Sequence, residues 1–276
     1  MLIQRSSPYP HWEFTHPSNG DQLRLVPDRG GLVSGWRCGG QELLYLDQER
    51  FRNPDLSVRG GIPVLFPICG GLPPEQSSLQ QHGFARDLPW QLAALADGSG
   101  VSLELVASPA TLALYPHAFH LEMVIRPEPS ALAFTVRVQN RGGTPMPFSF
   151  GLHPYFAVSS LESVYLEGLP AFVVDQQRMV PAESAELSGG LPQGIDLLAE
   201  PLSPVSLVDP IARRRISLET TAPLDLVVIW SDPPRSMVCL EPWTSPRGSL
   251  LSGERLLVLE PGHSLQMGSR YRVSST

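Results

Sequence analysis

Prolines recur along the whole chain, 29 of them in 276 residues, with 24 glycines interleaved. Proline use is about twice the average, and it is scattered rather than gathered in a linker. A proline breaks the hydrogen-bond ladder inside a helix and cannot donate within a central strand. Punctuation this frequent leaves room for short strands joined by turns and little room for long helices. The patterning agrees. Val101, Leu103 and Leu105 alternate with Ser102 and Glu104, and Leu132, Phe134, Val136 and Val138 alternate with Ala133, Thr135 and Arg137. Such alternation marks strands with one buried face. No helical periodicity persists beyond about three turns, so the chain is expected to be all-β.

Taken in order, residues 1–16 are rich in proline and aromatics and are expected to lie over the surface. Short strands are expected at 23–26, 31–36 and 43–46, followed by a charged loop over 47–58. The segment from Arg59 through Gly60, Gly61, Ile62 and Pro63 to Pro74 is apolar yet too rich in Gly and Pro for regular structure. A buried irregular segment must satisfy its backbone polar groups, so it is expected to line a pocket. Its glycines lack the spacing of a phosphate-binding loop. Strands at 101–105, 119–125 and 132–138 read as an antiparallel meander. Further strands are expected at 164–166, 171–174, 205–208, 215–218, 226–230, 237–240, 256–259 and 265–273, with an exposed loop over 182–194. No composition shift or repeat marks a boundary, so residues 1–276 read as a single domain.

The net charge of −7 leaves no basic surplus for a nucleic-acid partner. All 20 basic residues are arginines, which excludes lysine Schiff-base chemistry and supplies planar donors for anions or hydroxyls. Cys38, Cys69 and Cys239 are odd in number and widely spaced, and read as buried thiols of a reducing compartment. No apolar stretch reaches membrane-spanning length and no signal-peptide core is visible, so a soluble, cytoplasmic protein without a membrane partner is expected.

Three side chains are candidates for chemistry. His153 sits in Phe150-Gly151-Leu152-His153-Pro154-Tyr155-Phe156, where aromatic neighbours lower the local dielectric. Glu241, in Val238-Cys239-Leu240-Glu241-Pro242-Trp243, ends an apolar strand, and desolvation there would raise its pKa toward general-base territory. His82 lies in Gln81-His82-Gly83-Phe84-Ala85-Arg86. From each stretch alone the structural alternative stands beside the catalytic one: satisfied histidines and a solvated strand-end carboxylate. The His117-x-x-His120 pair has no further ligands at suitable spacing, so no metal site is expected, and no cofactor motif occurs.

Four segments in this order, R-G-G-I-P-V-L-F-P, H-G-F-A-R, G-L-H-P-Y-F and C-L-E-P, resemble the aldose 1-epimerase (mutarotase) family over roughly residues 20–273. The first two are closer to its bacterial epimerase-like and hexose-6-phosphate branches, while H-P-Y-F departs from the H-T-Y-F of the phosphosugar branch. The resemblance implies a galactose-mutarotase-like β-supersandwich that interconverts sugar anomers without cofactor or metal. It implies Glu241 as base, His153 as acid, and His82 as a hydrogen-bonding and charge-stabilising group. It further implies Arg59 and Arg86 as ligands for sugar hydroxyls or a phosphate, and Asp196 as a sugar-binding acid. The expected partner is a small sugar or sugar phosphate, and the expected assembly is a monomer or weak homodimer. A non-catalytic sugar-binding protein on the same fold is the alternative.

Overall fold

A computed structural model describes residues 2–276. Two eight-stranded antiparallel sheets carry the architecture, with a five-stranded sheet at the N-terminus and a two-stranded ribbon beside them. The longest α-helix among the described residues is Pro109–Leu114. The proline punctuation thus has the effect expected of it.

The outer sheet contains the meander Gln91–Ala94, Val101–Val106, Phe119–Glu128 and Ala131–Asn140, continued by Ser264–Ser274, Arg214–Thr221, Val205–Asp209 and Tyr165–Glu167. Burial along Phe119–Glu128 alternates residue by residue, with Phe119, Leu121, Met123 and Ile125 inward. The second eight-stranded sheet is built on Met237–Trp243, which pairs with Leu226–Ser231 on one side. On the other side it meets Gly151–Leu152 and Tyr155–Ala157. Tyr271 ties the two sheets together, donating its hydroxyl hydrogen to the Leu240 carbonyl at 3.0 Å.

Three expectations differ from the structure. The first sixteen residues are not a loose cover: Leu2–Arg5 and His11–Thr15 are strands, and Phe14 is fully buried. Residues 43–46 form no strand but two isolated bridges, Leu44 to Phe156 and Leu46 to Gly60, which pin the loop before the site. The span 182–194 contains the end of the strand Val180–Glu183, the helix Ser184–Leu187 and a 3₁₀ turn at Ser188–Gln193. Leu191 anchors that turn in the core, and its carbonyl accepts from Ser231 Oγ.

Candidate active site

Every residue of Met237–Trp243 is buried, so both faces of this strand are covered. Alternation decides what each face meets. Val238 and Leu240 join the main core, whereas Met237, Cys239, Glu241 and Trp243 point to the opposite face of the sheet. Glu241 therefore stands, buried, on a covered sheet face outside the main hydrophobic cluster.

The pairing explains how His153 finds it. Gly151 pairs with Trp243 and Tyr155 pairs with Cys239. One register runs through both contacts, and carried across the gap it sets His153 opposite Glu241. Pro154 has no N–H to donate, so the ladder lapses between the two short strands. The His153 amide turns instead to the Pro63 carbonyl at 2.9 Å. His153 Nδ1 then lies 3.3 Å from Glu241 Oε1. This contact is not aligned as a hydrogen bond, and Nδ1 is buried without a hydrogen-bond partner among the described residues. The imidazole stacks on Tyr155 at 4.7 Å and meets Trp230 edge-on.

His82 arrives from the loop after Ile68. Its backbone is left-handed, at φ 69°, a conformation that a non-glycine residue keeps only when its surroundings enforce it. The enforcement is visible. The His82 amide donates to the Gly70 carbonyl at 2.6 Å, and the Gly70 amide donates back to His82 Nδ1 at 3.1 Å. With Nδ1 accepting, the neutral imidazole carries its proton on Nε2 and is a fixed donor. Gly83, at φ 71°, permits the exit: a Cβ there would lie 2.2 Å from the Phe66 carbonyl oxygen. The Ser149 hydroxyl accepts from the Cys69 amide at 2.8 Å and the Ser149 amide donates to the Pro67 carbonyl at 2.8 Å, so these backbone groups of the irregular loop find partners inside the fold.

His82, His153, Glu241, Arg59 and Asp196 together line one cleft of about 230 Å³, with Gln81, Val228, Trp230, Trp243 and Arg247. Of the six residues singled out from the sequence, only Arg86 lies behind this wall. Its guanidinium donates to the Gln81 carbonyl at 2.7 Å and approaches Asp87 at 3.8 Å, which braces the loop. Arg59 lies over the Trp230 ring at 5.1 Å.

Arg247 and Gln176 escaped the sequence reading. Arg247 donates to Asp196 Oδ2 at 2.7 Å and to Gln176 Oε1 at 2.8 Å, and Gln176 Nε2 donates to Asp196 Oδ1 at 2.9 Å. The three side chains close a ring that pins both carboxylate oxygens of Asp196. Nothing in Pro246-Arg247-Gly248 signals this, because an arginine in a Pro–Gly turn reads as exposed.

Electrostatics follow from burial. Desolvation, with Asp196 nearby, holds the Glu241 carboxyl well above the usual carboxylate range, against an opposing hydrogen bond from Trp243 Nε1 at 3.0 Å. Desolvation also depresses His153 and His82 well below the ordinary imidazole value, helped by the positive charge of Arg86 and Arg59. Burial pushes the Cys69 and Cys239 thiols up, which disfavours either as a nucleophile. A ring nitrogen of His153, the Cys239 sulfur and a Glu241 oxygen lie within 4.8 Å of one another, a donor set able to hold a metal ion.

Together these features define a class: an antiparallel β-sandwich with a cleft of buried ionisable side chains on one sheet face. The chain belongs to the aldose 1-epimerase family, a family of isomerases, whose profile matches residues 19–272. A protein of Synechocystis sp. PCC 6803 with a solved crystal structure is 34% identical, with a TM-score of 0.90 over 100% of this chain and 99% of that one. A galactose mutarotase-like protein of Clostridium acetobutylicum shares the fold, with a TM-score of 0.80 at 19% identity over 100% of this chain and 99% of its own. The galactose-mutarotase-like sandwich is thus the fold of this chain. A Cenchrus ciliaris protein provisionally named glucose-6-phosphate 1-epimerase is 33% identical over 152 residues, 51% of this chain and 45% of that protein. An Escherichia coli K12 protein with the same provisional name is 31% identical over 152 residues, 54% of this chain and 49% of its own. The matches span about half the length of these curated relatives.

Proposed function

We propose that the chain is a mutarotase that interconverts the α and β anomers of an aldohexose by acid–base ring opening, with Glu241 and His153 as the proton-transfer pair. The observation that carries this reading is their 3.3 Å approach inside the polar cleft. Ring opening removes a proton from the C1 hydroxyl and delivers one to the ring oxygen. Both oxygens are bonded to C1, so acid and base must stand side by side, as these two groups do. After the aldehyde rotates, the same steps in reverse close the ring on the other face.

Burial disfavours the charged form of each group, the carboxylate of Glu241 and the imidazolium of His153, and so favours the proton on the Glu241 carboxyl. Moving that proton from Glu241 to His153 creates the base and the acid together, without gain or loss from solvent. A sugar in the cleft can assist by placing polar oxygens where the two charges develop. The His82 Nε2–H serves as a fixed donor to the sugar. Asp196, pinned by Arg247 and Gln176, offers its remaining lone pairs to hydroxyls, and Arg59 and Trp230 form a wall. In this reading residues 1–276 act as one cytoplasmic domain, monomeric or weakly dimeric, that needs no cofactor. No helix among the described residues is long and apolar enough to cross a membrane.

A second reading, a hexose-6-phosphate mutarotase, is favoured by the Arg59 guanidinium on the cleft wall and by the names of the curated relatives. Polarimetry of freshly dissolved α-glucose, α-galactose and a hexose 6-phosphate anomer decides among the possibilities. Acceleration of none would leave a non-catalytic sugar binder. If a phosphate is held, Arg59→Ala should depress turnover of the phosphosugar far more than that of the free hexose. Arg86→Ala should depress both together with the melting temperature, because Arg86 braces the loop. Equal phosphosugar preference in both variants and in wild type would leave a neutral-sugar mutarotase.

A further inference from the structure

The face of the central sheet beneath the cleft holds a donor set that proton transfer does not need in full. Cys239 lies two residues from Glu241 on one strand, so both side chains leave the same face. Tyr155 and Trp230 flank Cys239 as its pairing partners, and His153 packs against both of those rings. One ring nitrogen, the thiol sulfur and a carboxylate oxygen come within 4.8 Å of one another. His153 Nδ1, in a residue only 7% exposed, has no hydrogen-bond partner among the described residues, and it is the nitrogen that faces Glu241. Among the described residues the Cys239 sulfur meets the Met237 thioether, 3.9 Å away.

We propose that His153, Cys239 and Glu241 form a site for a thiophilic divalent cation, zinc above all, and that its occupation blocks the cleft. Imidazole, thiolate and carboxylate are the usual zinc donors, and three of them with one open position make a four-coordinate site. The fourth position faces the cleft, where a water or a sugar hydroxyl completes it. Binding displaces two protons, one from the Cys239 thiol and one from the Glu241 carboxyl. The product, a dication with one thiolate and one carboxylate, carries no net charge, which is the form that a desolvated site tolerates. Magnesium and calcium, which prefer oxygen donors, should not compete. The binding half stands on geometry alone, while the blocking half rests on the roles proposed above for His153 and Glu241.

Cobalt(II) provides a direct test, because a cobalt–thiolate bond absorbs in the near ultraviolet. The wild-type protein titrated with cobalt should develop that band, zinc should abolish it, and magnesium should not. Cys239→Ser, checked for fold by circular dichroism, should lose the band and bind at least ~10–100-fold more weakly. It should keep metal-free mutarotation and lose the inhibition by zinc. Cys239→Ala serves if the serine variant does not fold. If neither folds, a saturating aldose should bleach the band of the wild type by competition. No band in wild type, or an equal band in Cys239→Ser, overturns the site. A band with mutarotation undiminished by zinc overturns the blockade. A band in a protein without mutarotation, metal or no metal, upholds the site and sinks the functional reading instead.

Discussion

Replacing Glu241 by Gln, or His153 by Asn, keeps shape and hydrogen-bonding capacity but removes the transferable proton. Each change should lower mutarotation by ~10²–10⁴-fold with an unchanged circular dichroism spectrum, the usual range for acid–base groups. His82→Asn should cost less, since His82 is assigned a fixed donor role. Near-wild-type polarimetry in either of the first two variants would remove the role assignment. Burial adds a second prediction with a definite sign. The folded chain holds the Glu241 proton more tightly than the unfolded chain, whose carboxyl ionises near 4.5. Below that pH wild type and Glu241→Gln should melt together. Above it the unfolded chain ionises first, so wild type loses stability until the pH passes the raised folded value. Glu241→Gln should therefore melt increasingly higher than wild type as pH rises, by ~2–4 °C per kcal/mol of relief in a chain of this size. His153 has the opposite sign, and its cost appears as pH falls below 6.5. At this scale the sequence exposed His82, His153 and Glu241 because each stands out against an apolar or aromatic background. Arg247 and Gln176 have no such contrast, and only tertiary pairing with Asp196 reveals them.

Elements bring these residues together, and glycine sets how closely they can approach. A Cβ on Gly151 would lie 2.7 Å from Trp243 Cδ1 and 3.1 Å from the Cys69 sulfur. Gly151→Ala should push Trp243 aside and loosen its hydrogen bond to Glu241. Overpacking of this kind costs ~1–3 kcal/mol. Both the melting temperature and mutarotation should fall, whereas Gly143→Ala, where a Cβ meets nothing within 4 Å, should change neither. An unaltered Gly151→Ala enzyme would show that the strand contact does not hold the carboxylate. The long strands were legible because one face of each is buried and the other is half-exposed, as along Phe119–Glu128. Leu2–Arg5 and His11–Thr15 were not, since the first is a short edge strand with no buried residue and Pro8 and Pro10 break the chain between the two. The span 43–46 misled for the reverse reason. Its apolar run is strand-like, but its partners are single residues far along the chain, Phe156 and Gly60.

At the scale of the whole molecule, the question is whether the N-terminal sheet can come away from the rest. One buried cluster contains Phe14 and Trp36 from that sheet, Phe134 and Tyr271 from the outer sheet, and Leu240 from the sheet bearing the site. Val33 also bridges directly to Ile62, and the Gly61 position has room only for glycine, since a Cβ there would lie 2.5 Å from the Val33 carbonyl. Detaching the sheet would expose the fully buried Trp36 and Phe14 and break the anchor of the strand run leading to His82. Fully burying one large apolar side chain is worth ~1.5–3 kcal/mol, so partial detachment carries a cost that is a sizeable share of a domain's ~5–15 kcal/mol. Unfolding in urea should therefore proceed in one step. Tryptophan emission, which samples Trp12 and Trp36 in the N-terminal sheet, Trp90, and Trp230 and Trp243 at the cleft, should change over the same denaturant range as the far-ultraviolet β signal and mutarotation. Activity lost at lower urea than fluorescence would mean that the cleft loop opens by itself. Two resolved fluorescence transitions, with mutarotation retained through the first, would overturn the single-domain reading of residues 1–276, because the tryptophans of the N-terminal sheet would then report apart from those of an intact site.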